Sequence, residues 1–121
     1  MRILGVDYGE RKVGLAISEG PLAEPLTVIR SPNVVEKISK ICQTDQIDKI
    51  IIGVSEGKTE KLIREFARLL GRACGLKVEF QDETLTSREA LAKMREIGKR
   101  IKDEDAIAAA LILQAYLDKN V

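Results

Sequence analysis

Three acidic positions stand where a folded chain most often offers carboxylates to a ligand: Asp7, the pair Asp82-Glu83, and Asp105. Asp7 follows the mostly apolar run Arg2-Ile3-Leu4-Gly5-Val6 and precedes Tyr8-Gly9, so it falls at the C-terminal edge of a strand. Open α/β sheets bind their ligands at that edge, although an aspartate just before a glycine also serves as a plain turn residue. Asp82-Glu83 follows another strand at its C-terminal edge, where a polar lead into a helix cap is the simpler role. Asp105 opens a helix, and there a carboxylate can merely complement the helix dipole.

What sets Asp105 apart is its stripe. Ala108, Ala109, Ile112 and Tyr116 follow on the same helical face, which must therefore turn toward the sheet, and small alanines allow a close approach. A carboxylate on a buried stripe is costly unless something pairs with it. A cation shared with Asp7 and Glu83 would remove that cost. Three carboxylates from separate segments make an all-oxygen site suited to Mg²⁺ or Mn²⁺, and without a cation they raise one another's pKa. Such a site can activate water and stabilise the departing oxygen of a phosphodiester.

The chain has no histidine, which excludes Ser-His-Asp and Cys-His catalysis and the usual zinc sites. Cys42 and Cys74 follow no ligand spacing and sit in apolar helical patterns, so they read as buried free thiols. A formal charge of +1 gives no global attraction for a polyanion, so nucleic-acid binding must come from a local patch. The segment from Arg88 to Lys102 supplies one: Arg88, Lys93, Arg95, Lys99, Arg100 and Lys102 against Glu89 and Glu96. A solvated helix face is the ordinary fate of such a run. Its place between two candidate ligand segments makes phosphate contact by Arg88, Arg95, Lys99, Arg100 and Lys102 credible, with Arg11 and Lys12 adding to the surface. Aromatic residues amount to 3%, too few for a base-stacking platform.

These side chains need a scaffold, and 121 residues suit one domain, 1–121, with an ordinary core. Hydrophobic residues at 45% and charged residues at 32% predict a soluble globular protein. No run is long enough to span a membrane, and the apolar start is too short for a signal peptide, which predicts a cytoplasmic protein. Strands are expected at 2–6, 12–18, 26–30, 49–54 and 77–80. Helices are expected from Ser31-Pro32-Asn33 to about Gln43, with Val34, Ile38 and Ile41 on one face, and from about Thr59 to Ala73. The second of these should bury Leu62, Ile63, Phe66, Leu69 and Leu70 and stop at Gly75. A third helix is expected from Thr86 or Ser87 to about Ile97, and a last one from near Asp103 to about Lys119. The continuous run Ile50-Ile51-Ile52 marks a central strand covered on both sides. The order β-β-β-α-β-α-β-α-α predicts an α/β mixed sheet with an antiparallel portion and helices on both faces.

Taken together, the motifs resemble the YqgF family, also called RuvX, of Holliday-junction-resolvase-like nucleases. Val6-Asp7-Tyr8-Gly9 with Arg11-Lys12-Val13-Gly14-Leu15-Ala16 is similar to its opening strand-turn-strand motif. Asp82-Glu83-Thr84-Leu85-Thr86-Ser87-Arg88-Glu89-Ala90 is similar to its acidic strand-to-helix motif, and Asp105 through Leu117 to its closing helix. The matches run in order along nearly the whole chain. The sequence departs from the family pattern in a shorter loop, Gly53 to Lys58, and in Thr84, where an arginine is common.

The resemblance implies a five-stranded ribonuclease H-like sheet, with Asp7, Glu83 and Asp105 as catalytic metal ligands. Asp7 would bridge two ions. It also implies a divalent-metal-dependent endonuclease on structured nucleic acid, processing the 5′ end of pre-16S ribosomal RNA or resolving four-way DNA junctions. RNA is the preferred expectation because no dimerisation element is evident in the sequence, so a monomer or weak homodimer is expected, whereas symmetric junction cleavage needs paired sites. A different class stays open: an inactive nucleic-acid-binding relative, or a nucleotide-binding domain of the actin-like kind, whose strand-end Asp-x-Gly turn is alike.

Overall fold

The computed structural model describes residues 1–30, 32–54, 57, 59–83 and 104–119. Along the chain it contains β1 (Ile3–Asp7), β2 (Lys12–Ser18), β3 (Ala23–Arg30), α1 (Val34–Thr44), β4 (Lys49–Val54), α2 (Glu60–Cys74), β5 (Lys77–Asp82) and α3 (Glu104–Lys119). The helix expected between β5 and α3, and Ser55, Glu56, Lys58 and Thr84, lie outside the described residues.

The strands form one sheet in the order β3-β2-β1-β4-β5. β1 pairs antiparallel with β2 and parallel with β4, and β5 adds parallel to β4. This is the mixed sheet expected from the element order. The alternation of side chains along each strand divides the core in two. Leu4, Val6, Val13, Leu15, Ile50 and Ile52 pack with Ile38 and Cys42 of α1 and with Ile63, Phe66, Ala67 and Leu70 of α2. Ile3, Ala16, Ala23 and Ile51 point the other way and pack under Ala109, Ala110, Leu111, Ile112 and Leu113 of α3. The Ile50-Ile51-Ile52 run is fully buried because its members serve opposite faces.

Two expectations are corrected. β3 begins at Ala23 rather than Leu26, and Pro25 lies within it. Proline is tolerated because β3 is an edge strand, and the register slips there, with Thr27 opposite Leu15 and Pro25 opposite Ala16. Leu26 is the extra residue of that bulge. In α2, Leu62 and Leu69 are 45% and 44% exposed, while Ala67 is buried with Ile63, Phe66 and Leu70. Leu62 precedes Ile63 by one residue, or about 100° of helix rotation, and Leu69 falls on the same flank, so both miss the sheet. Gly75 ends the helix as expected, at φ 66° with its N–H donated to the Gly71 carbonyl.

Cys42 and Cys74 are free; Cys42 is buried and Cys74 partly so. They meet between α1 and α2, and burial with the neighbouring Cys74 thiol pushes Cys42 up to about 12.

Candidate active site

Strand parity decides which acidic side chains share a face. Asp7 alternates with Ile3 and Gly5, so it lies on the α3 side of the sheet, opposite Gly14 in the β1–β2 ladder. On β5, Glu79 pairs with Ile51 and Gln81 with Gly53, which puts both on the α3 side. Glu83 continues that alternation. Asp82, paired with Val54, belongs to the other face and is exposed. Of the adjacent pair, parity brings Glu83 to Asp7.

Asp105 arrives from above, in the first turn of α3. Two close approaches seat that helix. A Cβ on Gly14 would collide with the Asp105 carbonyl oxygen and lie 3.0 Å from the Ala106 nitrogen. A Cβ on Gly5 would stand 2.8 Å from the Leu113 Cβ and 3.0 Å from the Ala109 oxygen. The helix backbone thus rests on bare strand. On the neighbouring strand a Cβ on Gly53 would meet Ile112 and sit 2.6 Å from Glu83 Oε1, so the glutamate uses the space that glycine leaves. Behind the site, the Tyr8 ring packs on Phe66 with centroids 4.5 Å apart, tying the turn after Asp7 to α2.

The electrostatics follow from this crowding. Asp7 is pushed up to about 7 by burial first, then by the charges of Glu83 and Asp105 and by a side-chain hydrogen bond with Glu83. Asp105 also has a cationic partner, with Lys12 Nζ 2.7 Å from its Oδ2. Among the described residues, no three His, Cys, Asp or Glu side chains are grouped so that they could hold a metal ion as they stand. The raised Asp7 carboxyl and the Lys12 ammonium on Asp105 instead lessen the negative charge of the cluster. The donor set is entirely carboxylate oxygen, which suits a hard divalent ion.

Comparison with known proteins places this arrangement. The family model described as RuvX, Holliday junction resolvase, matches residues 1–119. The chain belongs to the RuvX family. A relative from Clostridium botulinum (strain Alaska E43 / Type E3) is 37% identical over 134 aligned positions, covering 98% of both chains. One from Syntrophus aciditrophicus (strain SB) is 43% identical over 134 positions, covering 98% of this chain and 89% of the relative. Both carry the name "Putative pre-16S rRNA nuclease". Among solved structures, T. thermophilus RuvC in complex with a Holliday junction substrate superposes with a TM-score of 0.69 at 15% identity, covering 100% of this chain and 97% of that one. The fowlpox virus Holliday junction resolvase gives 0.65 at 16% identity, with both chains fully covered. At such identities the likeness is one of fold, and the RuvX chain has the ribonuclease H-like sheet that its motifs implied.

Within this RuvX chain the three carboxylates named from sequence converge on one edge of the sheet. Arg11 is exposed at the same edge, and Lys12 is engaged with Asp105. Arg88, Arg95, Lys99, Arg100 and Lys102 lie outside the described residues. Sequence reasoning missed Gly14 and Gly53 as residues that make room for the site. The signal was parity: Gly14 alternates with Val13 and Leu15, which face the other way, and Gly53 shares with Ile51 the face that α3 covers. No helix among the described residues is long and apolar enough to cross a membrane.

Proposed function

We propose that this RuvX-family chain is a single-domain, divalent-metal-dependent endonuclease that processes pre-16S ribosomal RNA in the cytoplasm, working as a monomer or weak homodimer. The observation that carries the reading is Asp7. A carboxyl group pushed up to about 7 by burial and then by two neighbouring carboxylates marks a place where negative charge is costly to keep uncompensated. A cation is the natural complement. The names of the relatives support the substrate.

Asp7, Glu83 and Asp105 would hold Mg²⁺ or Mn²⁺, with Asp7 at the centre because it interacts with both of the others. Once bound, the ion supplies Lewis acidity to the phosphodiester and a nucleophilic water at neutral pH. The chain's own part is to give up the Asp7 proton, to keep the three oxygens converged through the glycine seats, and to hold the phosphate backbone. Arg11 and Lys12 serve that last purpose at the sheet edge, with Arg88, Arg95, Lys99, Arg100 and Lys102 in the segment before α3.

Purified protein with Mn²⁺ should cleave structured RNA bearing the pre-16S 5′ end, and Asp7→Asn should abolish the cleavage. Cleavage that survives this substitution would sink the assignment. The family description, Holliday junction resolvase, supports a second reading. Symmetric nicking of a four-way DNA junction by a solution dimer, with RNA left intact, would establish it instead.

A further inference from the structure

Lys12 was expected to contact phosphate, yet it is bound to a candidate ligand. It opens β2 and alternates with Gly14 and Ala16, so its side chain rises on the α3 side beside the start of that helix. The ammonium lies 2.7 Å from Asp105 Oδ2, with the two side chains 42% and 29% exposed. The Asp105 main chain cannot drift from this spot, because its carbonyl occupies the bare face of Gly14. Its carboxylate can turn about the side-chain torsions. One direction leads to Lys12 and the other to Asp7, whose own charge already senses Asp105.

We propose that Lys12 is a tethered place-holder for the metal: its ammonium neutralises Asp105 until a divalent ion takes the carboxylate. The released ammonium can then contact a substrate phosphate at the same edge. This rests on the metal-dependent reading above.

The exchange is balanced in charge and geometry. A half-exposed ion pair is weak, so Lys12 holds Asp105 without locking it. Asp7 and Glu83 would hold a divalent ion, whose charge would attract Asp105 twice as strongly as the ammonium does at equal distance. Lysine suits the task because its head is a compact ammonium on a flexible four-carbon stem, whereas arginine would grip a carboxylate with two parallel hydrogen bonds. One of the three carboxylates is turned to Lys12, and among the described residues no three such side chains are grouped to hold a metal as they stand.

The test measures Mn²⁺ affinity by calorimetry on the full chain, for wild type, Lys12→Met, Arg11→Met and Asp7→Asn. Loss of the competitor should make Lys12→Met bind roughly two- to five-fold tighter, the range expected for one partly exposed ion pair. Arg11→Met removes the same charge from the adjacent residue and should change affinity less. In ¹⁵N-lysine-labelled wild type, the Lys12 side-chain resonance should move with added Mg²⁺ in step with binding, a readout that needs no variant to fold. If Lys12→Met binds no tighter than wild type, or Arg11→Met tightens it equally, or the Lys12 resonance stays still while metal binds, the place-holder is refuted and the metal site stands. If wild type binds no Mn²⁺, or Asp7→Asn binds it undiminished, the metal-dependent reading itself falls.

Discussion

Gly14 and Asp105 touch through backbone alone: the carbonyl of the aspartate fills the space where any other residue at position 14 would carry its Cβ. Since Gly14 is also the cross-strand partner of Asp7, a missing side chain on β2 determines how near two carboxylates come. Gly14→Ala should therefore cost about 1–3 kcal/mol, as overpacking does, because the obstructing atoms are main chain and cannot rotate aside. Thermal melts should show a drop of several degrees, with metal binding weakened further than the lost stability explains. Gly20→Ala is the control, since a Cβ there meets nothing within 4 Å. Equal melting temperatures for the two variants would contradict the close seat.

Gly53→Ala should separate the fold from the site. Its new Cβ meets two side chains, Ile112 and the Glu83 carboxylate 2.6 Å away, and both can move. Stability should fall by no more than about 1–2 kcal/mol, while displacement of Glu83 should weaken Mn²⁺ binding and cleavage at least tenfold. Calorimetry beside a melt would distinguish this from the Gly14 variant.

The metal-free protein should lose stability as pH rises toward neutrality. Asp7 ionises at about 7 when folded against an ordinary 3.8, so the folded chain keeps a proton that the unfolded chain releases between those values. Its contribution is complete below about pH 4 and is lost as pH climbs through about 7, on the order of a few kcal/mol in all. Divalent metal should reverse the trend, with apparent affinity rising roughly tenfold per pH unit below 7 for one displaced proton. Melts from pH 5 to 8.5, with and without Mg²⁺, would show it, and parallel curves would rule out Asp7 as the linked group.

Asp7→Asn should raise the metal-free melting temperature at pH 8 and remove the Mg²⁺ shift. Cleavage should fall by more than the ~100-fold that losing a ligand's supporting hydrogen bond can cost. A variant that remained destabilised at pH 8 and still responded to Mg²⁺ would show that the cluster is held by other means.

At the far end of α3, Tyr116 donates its hydroxyl to Glu79 at 2.8 Å and accepts from Lys49 at 2.9 Å. Lys49 also reaches Glu79 Oε2 at 2.8 Å. Eleven residues of helix separate Tyr116 from Asp105, about 16 Å at 1.5 Å per residue. Tyr116→Phe should cost about 1 kcal/mol and leave cleavage per folded molecule unchanged. A loss of turnover would mean that α3 transmits strain along its length.

Much of this was readable beforehand because it depends on short-range pattern. The Ile50-Ile51-Ile52 run, the turn after Asp7 and the alanine stripe of α3 each carry their own signature, and the ordered motifs pointed to the family. What the pattern hid was register. The start of β3 at Ala23 depends on an edge bulge that makes Pro25 acceptable, and the exposure of Leu62 depends on how α2 is rolled on the sheet. The Lys12–Asp105 pair was hidden for a related reason. It joins residues from opposite ends of the chain, and no local preference encodes a contact that exists only after a helix has docked.

The residue order of the site has a temporal consequence. Asp7 and Glu83 leave the ribosome well before Asp105, and the seat on Gly14 stays bare until α3 has been made and has packed. Chains are synthesised from the N-terminus at ~5–20 residues per second, so every nascent copy passes through a stage with a nearly complete sheet and an incomplete set of carboxylates. The set of carboxylates is thereby completed only when α3 docks, so the candidate site is the last part of the fold to assemble.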